Sequence, residues 1–573
     1  MTKEKWVFSK QVRWLAFSIT TVVLLSSGCS ENKTQTPSLS TAANKGVAIH
    51  TNQIGFLPSQ DKEIVISTTN IHDFEITHIG TQKVVLQGKS NQPTIWTLTG
   101  ESAAIIDVSA ITEPGTYRLT LSDTSENASF TVNSNAYGDV HDAAIKAYYF
   151  NRAGIPLDPA YAGVWQRPEG HMDNHVMVLN NSSDIRASSK GWYDAGDYNK
   201  YIVNSGISTY TLLRAFIDFK GFYAERRWNI PESTNNRPDM LDEILWNLDW
   251  MLTMQDSDGS VFHKLTTLNF VQDIMPHEAK EQRYFVGKGT AAALNFAAVM
   301  ATAARVFPES ENTYQHAAER AWRWALEHPN MSYKNAENVR TGEYGDSDFL
   351  DEFTWAASEL LVTTGKTEYL DVINKYIDVP STPSWANTMG LAYLTLLKEG
   401  SHHVPADTLD NFQQTFLSYA NGLLETDANS AFHVAMREKD FVWGSNGVAM
   451  NHAMILATAY SLTHDDKYRQ SMSHLVDYVF GKNPTGYSFI TGFGNKPPRF
   501  IHHRQSQADT IADPVPGFIA GGPHGGQQDD CQYPSNLPAK SYVDDWCSYA
   551  SNEVAINWNA PLVYALAAMI NLF

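Results

Sequence analysis

Between residues 46 and 135, apolar and polar positions alternate in short runs. Eight stretches carry the pattern: "GVAIHTNQIGFLP", "KEIVISTT", "DFEITHI", "KVVLQGK", "TIWTLTG", "AAIIDVSA", "GTYRLTLSD" and "ASFTVN". Turn residues separate them at roughly 8–12-residue spacing, the mark of an antiparallel β-sandwich of immunoglobulin-like type. After Tyr137 the period changes. From "DVHDAAIKAYYFNRAG" onward, apolar residues recur every three to four positions, which predicts helices. Eleven such segments run from "AAIKAYYFNRAG" to "WNAPLVYALAAMINLF", with room for one more in a loop. Several are apolar on more than one face, as expected of helices packed between an inner and an outer neighbour. The connecting loops are long, above all 485–553, and loops of that length in a compact domain usually carry function. The expected fold is mainly α: an (α/α)6-type helical barrel over 136–573, with a cleft at one end, preceded by a small immunoglobulin-like β-sandwich over 46–135.

The first 28 residues follow a different logic. "MTKEKWVFSKQVRW" is basic, "WLAFSITTVVLL" is apolar, and "SSGC" closes the run. The apolar run is short for a transmembrane helix, and the order of segments is that of an export signal. It resembles a lipoprotein signal, in which Cys29 becomes the lipid-bearing residue. Ser26 departs from that pattern, which prefers Leu there; plain secretion is the alternative. Residues 29–45 read as a polar tether. Export would carry away four positive charges and one negative, so the net charge of −20 becomes −23. Such an acidic chain is a poor partner for nucleic acid. Its contact with a membrane is expected through the lipid anchor alone. Cys531 and Cys547 remain, 16 apart in a loop-rich region, and an oxidising compartment makes them a plausible disulfide.

Candidate chemistry begins at "GWYDAGDYNK". Asp194 and Asp197 stand three residues apart, with only Ala195 and Gly196 between them and no basic residue to neutralise them. Like charges at short range raise one of the two pKa values, so the pair marks either a solvated turn or a site that uses it. Near the C-terminus, "YVDDWCSYASNEVAINWNAP" supplies Asp544 and Glu553. "YSFITGFGNKPPRFIHHRQS" supplies His502, His503 and Arg504. Separated acids with aromatic residues between them suit glycoside hydrolysis, in which one carboxyl protonates the leaving oxygen and another activates water or attacks the sugar.

Three motifs in order carry a family resemblance. "SFITGFGNKPPRFIHHR", "YVDDWCSYASNEVAINWNA" and "GWYDAGDYNKYIVN" resemble the signatures of family 9 glycoside hydrolases, endoglucanases built on an (α/α)6 barrel. The resemblance covers about residues 137–573, and the preceding sandwich is similar to a module often found before that barrel. It implies an inverting hydrolase of β-1,4-linked oligo- or polysaccharides. Asp197 would be the general base. Asp194 would orient the same water, its negative charge keeping Asp197 basic. Glu553 would be the general acid, with a raised pKa. His502, Arg504 and Asp544 would bind substrate, and Trp443 and Tyr549 are candidate sugar contacts. No cofactor is expected for the chemistry. A structural calcium is implied by a similar segment in some members, here Ser347, Asp348, Asp351 and Glu352, although Ala386 and Asn387 replace a further expected Asp. Members that hold zinc use Cys and His after the "AGVWQRP" region. This chain keeps His171 and His175 without a cysteine, so that zinc is not expected.

The substrate stays open at this level. A glucan is the default. An exo-β-D-glucosaminidase acting on chitosan oligosaccharides is the alternative that strong acidity suggests. A catalytically inactive sugar-binding lipoprotein, or an immunoglobulin-type adhesin, would fit poorly with intact Asp197 and Glu553.

Overall fold

The structure is a computed structural model that describes residues 46–573. The signal over 1–28, the tether over 29–45 and Cys29 lie outside the described residues.

Strands β1 (Ala48–His50), β2 (Glu63–Ser67), β3 (Asp73–His78), β4 (Lys83–Lys89), β5 (Thr94–Trp96), β6 (Glu101–Asp107), β7 (Gly115–Leu121) and β8 (Asn127–Val132) form two four-stranded sheets. Their orders are β1-β2-β6-β5 and β4-β3-β7-β8, and every neighbouring pair is antiparallel. Alternation sorts the side chains. On β2, Ile64 and Ile66 enter the sandwich core with Phe74, Ile76, Tyr117 and Leu119. Val65 points the other way and joins the core of the helical domain, as do Trp96, Ala103 and Ile105. One sheet of the sandwich is therefore buried on both faces, and the two domains share an apolar boundary.

Twelve helices of nine or more residues follow. They are α1 (Gly138–Phe150), α2 (Ile202–Asp218), α3 (Asp239–Thr253), α4 (Thr290–Val306), α5 (Glu311–Glu327), α6 (Leu350–Thr364), α7 (Glu368–Tyr376), α8 (Met389–Glu399), α9 (Ala406–Ala428), α10 (Ser445–Thr463), α11 (Asp466–Val479) and α12 (Ile556–Leu572). The even-numbered helices touch in sequence, α2 to α4 to α6 to α8 to α10 to α12 and back to α2, which closes an inner ring. The odd-numbered helices pack outside it, as α5 does on α4 and α11 on α10. This is an (α/α)6 barrel. Inner helices are buried almost all round; α4, "TAAALNFAAVMATAARV", is rich in Ala, so helices approach closely without losing propensity. Outer α5 is amphipathic, burying Tyr314, Ala318 and Trp322.

The helix not resolved from the pattern is α7, nine residues long and buried only at Tyr369 and Ile373. A second difference lies in the loops at one end. Strands β9 (Val176–Val178), β10 (Asn181–Arg186), β11 (Lys200–Tyr201), β12 (Phe262–Thr266) and β13 (Tyr284–Lys288) form a sheet in the order β10-β9-β13-β12-β11. Most of these strands are short, and apart from the β9–β10 pair their partners are distant in sequence, so alternation was too brief to show. The sheet stiffens the rim where the acidic motifs lie.

Candidate active site

Asp194 and Asp197 occupy the loop between Trp192 and β11. The loop is tied down at both ends: the Tyr193 N–H donates to the Asn151 carbonyl at 2.8 Å and the Asp194 N–H to the Asn199 carbonyl at 3.0 Å. Ile556, the first residue of α12, donates its N–H to the Asp194 carbonyl at 2.9 Å. The start of the last inner helix is thus fixed to the first acidic motif. Glu553 lies three residues before that helix and bridges in parallel to His502. Gly196 permits the approach. A Cβ there would stand 2.3 Å from the His502 carbonyl and 3.2 Å from Glu553 Oε1.

The three acids line one cleft of about 780 Å³. Asp194 is buried, and its carboxylate accepts from Asn204 Nδ2 at 3.0 and 3.1 Å and from Tyr344 Oη at 2.9 Å. Burial, then the Asp197 charge, push its carboxyl up to about 8 against those hydrogen bonds. Asp197 accepts from Asn199 Nδ2 at 2.6 Å and Tyr201 Oη at 3.2 Å, both on Oδ2. Its Oδ1 is buried and has no partner among the described residues. Glu553 reaches the cleft half-buried. Burial, then Asp197 and Asp194, push its carboxyl up to about 8, opposed by Arg504. Glu553, whose carboxyl is pushed up, and Asp197 thus line one cleft, the pair of carboxyls that acid-assisted attack of water on a glycoside requires.

Comparison with known families agrees with this geometry. The description "Glycosyl hydrolase family 9" matches residues 137–566, and "Cellulase N-terminal ig-like domain" matches residues 44–126. The chain belongs to glycosyl hydrolase family 9. It is 42% identical over 564 residues to a xyloglucan-specific endo-β-1,4-glucanase of Bacteroides ovatus, covering 94% of this chain and 95% of the relative. Endoglucanase D of Acetivibrio thermocellus is 32% identical, covering 99% of this chain and 87% of that protein. Among solved structures, a family 9 protein of Bacteroides ovatus superposes with a TM-score of 0.86 at 39% identity, covering 92% of this chain and 99% of that one. This family 9 enzyme hydrolyses β-1,4-glucans.

The remaining expected residues divide. His502 and Arg504 both line the cleft. His502 Nδ1 lies 2.9 Å from the Trp546 carbonyl, so it carries the hydrogen and leaves Nε2 as an acceptor. Burial holds its imidazole below the ordinary pKa. Arg504 donates Nε to the Val271 carbonyl and Nη1 to the Gly196 carbonyl, each at 3.0 Å. Trp443 and Tyr549 form a pair at the cleft, with ring centroids 5.2 Å apart. Asp544 corrects the expectation of a substrate contact. It is half-exposed outside the cleft lining and accepts the Arg499 N–H at 2.9 Å, the Phe500 N–H at 2.9 Å and Asn552 Nδ2 at 3.1 Å. It braces the two signature segments against each other. Burial and the Asp197 charge raise the Asp194 carboxyl to about 8, so its charge varies with pH across the neutral range.

Cys531 and Cys547 form a disulfide with a Cα–Cα distance of 5.6 Å. It closes a loop region whose flanks bring His524, Gln528 and Tyr549 to the cleft. Sequence reasoning missed several lining residues, among them Asn204, Phe270, Tyr344, Trp385 and Trp558. For Tyr344 and Trp385 a weak signal existed: each is an aromatic residue in a polar loop just ahead of an inner helix.

The expected calcium segment straddles the start of α6. Ser347 and Asp348 are exposed. Asp351 is buried and accepts the Thr388 N–H at 2.6 Å. Buried Glu352 has no N–H or hydroxyl donor on either oxygen among the described residues, and neither has Asp346 Oδ2. Burial, then Asp351, push the Glu352 carboxyl well above its ordinary range. The carboxylates that turn inward are thus Asp346, Asp351 and Glu352.

Proposed function

We propose that the enzyme cleaves soluble β-1,4-glucan chains by single displacement with inversion, using Asp197 as base and Glu553 as acid. The observation that carries this reading is Asp197 Oδ1, free of partners in the cleft that Glu553 also lines. Water accepted by that oxygen loses its proton to Asp197 as its own oxygen bonds to the anomeric carbon. The glycosidic bond breaks, and the Glu553 proton goes to the leaving oxygen. Asp194, held by Tyr344 and Asn204, positions the water from the other side of the loop. His502 and Arg504 hold sugar hydroxyls, and Trp443 with Tyr549 offers an aromatic face for a sugar ring.

The 42%-identical relative acts on xyloglucan, and an open cleft with a half-exposed Trp443 suits a substituted chain. Products from cello-oligosaccharides, xyloglucan and chitosan oligosaccharides, compared side by side, separate this reading from the glucosaminidase alternative. Anomeric-proton NMR before mutarotation tests the mechanism: the α-anomer must appear first, and the β-anomer first would require a covalent intermediate.

Two further parts belong to the proposal. The basic and apolar segment before Cys29 supports a lipid-anchored enzyme of the cell envelope; Cys29→Ser should move it from membranes to the soluble fraction. The orphaned oxygens of Glu352 and Asp346, beside Asp351, suit a hard cation such as Ca²⁺, which would neutralise buried carboxylates just after Tyr344. Added Ca²⁺ should raise the melting temperature of the wild type and not of Glu352→Gln.

A further inference from the structure

We propose that Glu63, His433 and His474 bind a divalent transition-metal ion of the zinc class at the boundary between sandwich and barrel. Three separate elements bring them together. Glu63 opens β2 and shares the barrel-facing side of that strand with Val65. His433 lies in the turn after α9, with φ of 43°. His474 lies on α11.

The distances suit a common ion. His433 Nδ1 is 2.9 Å from Glu63 Oε1, and His474 Nε2 is 3.4 Å from Glu63 Oε2. One ligand atom from each residue lies within 4.8 Å of the others. The two imidazoles stack with centroids 5.4 Å apart. Two imidazoles and one carboxylate are a donor set suited to zinc, with a fourth position left for water.

The second observation concerns His474 itself. Its side chain is only 3% exposed, and Nε2 is buried without a hydrogen-bond partner. Its Nδ1 lies 2.9 Å from Asp427 Oδ2. A carboxylate on one imidazole nitrogen fixes the tautomer and makes the other nitrogen a better ligand, the arrangement that recurs behind metal-bound histidines. Nε2 thus faces Glu63 Oε2 at 3.4 Å without a hydrogen bond between them, a position that an ion shared by the two would fill.

Lys482 competes for that place. Its Nζ donates to Glu63 Oε2 at 3.1 Å. His433 Nδ1 lies 2.9 Å from Oε1 and 3.0 Å from Oε2, so a bound ion would share the carboxylate with the lysine, which sets an affinity limit that a site without the lysine would not have. The other cysteine- and acid-containing cluster, Cys531, Asp545 and Cys547, has its sulfurs in the disulfide and offers no thiolate.

The test uses the full chain stripped with a chelator and titrated with Co²⁺, then Zn²⁺. Expected are one equivalent of Co²⁺ with the visible absorption of a low-coordinate nitrogen and oxygen site, its displacement by Zn²⁺, and a metal-dependent rise in melting temperature. His433→Gln, at a half-exposed position, should remove the absorption and the rise while circular dichroism and glucan hydrolysis stay at wild-type levels. Asp427→Asn should weaken Co²⁺ binding by roughly 10–100-fold. Failure of the wild type to take up Co²⁺ saturably, or undiminished uptake by His433→Gln, would reduce the cluster to an ion-pair network and overturn the proposal.

Discussion

The carbonyl of Gly196 accepts two hydrogen bonds from Arg504, one from its main-chain N–H at 3.1 Å and one from Nη1 at 3.0 Å. The turn that carries Asp194 and Asp197 is held by the segment that carries His502. With Glu553 bridged to His502, three motifs distant in sequence thus share one wall.

Arg504→Lys is expected to show this. A lysine cannot supply Nε to Val271 and Nη1 to Gly196 together, because it presents one ammonium rather than a planar fork. Loss of charged hydrogen bonds of this kind, about 1.5–3 kcal/mol each, should lower kcat/KM by at least roughly tenfold. Steady-state kinetics beside an unchanged far-UV spectrum checks it; wild-type kinetics would leave Arg504 without a positioning role.

The acids themselves give a direct prediction. Glu553→Gln and Asp197→Asn should each lower kcat on unactivated glucans by about 10²–10⁴-fold, the usual worth of general acid or base catalysis. Both variants should still bind oligosaccharide, which calorimetry can measure.

Much of this was legible in the chain. The sandwich showed because strands such as "GTYRLTL" alternate over seven residues, and the barrel because its inner helices are apolar over three or more turns. The acids showed because Asp194 and Asp197 stand together without a basic neighbour and because their motifs, with that of Glu553, resemble a family's signatures. What was hidden depends on distant partners. Asp544 reads like a site acid but is spent on the Arg499 and Phe500 N–H groups. Tyr344 reads like a loop residue but reaches Asp194 across 150 positions. Protonation of Asp194 follows from burial, which no local pattern displays.

That burial has a thermodynamic sign. The folded-state pKa of Asp194 is raised from 3.8 to about 8, so the folded protein binds this proton more tightly than the unfolded chain. Such a group costs no stability while both states are protonated, below about 4. The cost grows as pH rises across the window and is complete above about 8. Asp194→Asn removes the titration. Its melting temperature relative to wild type should therefore increase from about pH 5 to about pH 8, in thermal scans at fixed ionic strength. A constant difference would show that Asp194 titrates alike in both states.

Activity should fall as Glu553 loses its proton. Its carboxyl is pushed up to about 8, so the alkaline limb of kcat/KM should lie near there. Because the Asp194 charge contributes to that rise, residual activity of Asp194→Asn should have its alkaline limb at lower pH. An unmoved limb would assign it to another group.

Lys264 provides the last test, because it stands behind the base rather than in the cleft. Its Nζ donates to Asn335 Oδ1 at 2.8 Å, Thr341 Oγ1 at 3.1 Å and the Gly342 carbonyl at 2.7 Å. It also lies 5.6 Å from the ring centre of Tyr201, whose hydroxyl donates to Asp197. Burial pulls its pKa down to about 7, against the opposing pull of Asp197 and Glu343. The residue thus does two things: it pins the segment that leads to Tyr344, and it places positive charge behind Asp197. Lys264→Met should remove both. Loss of a nearby positive charge disfavours an ionised carboxylate, so the acid limb of kcat/KM should move to higher pH. Release of the 335–342 segment should also lower kcat through Tyr344. Tyr344→Phe should reproduce the fall in kcat without the shift of the acid limb. If both variants change the profile alike, the charge of Lys264 has no part in catalysis and the residue is only a brace.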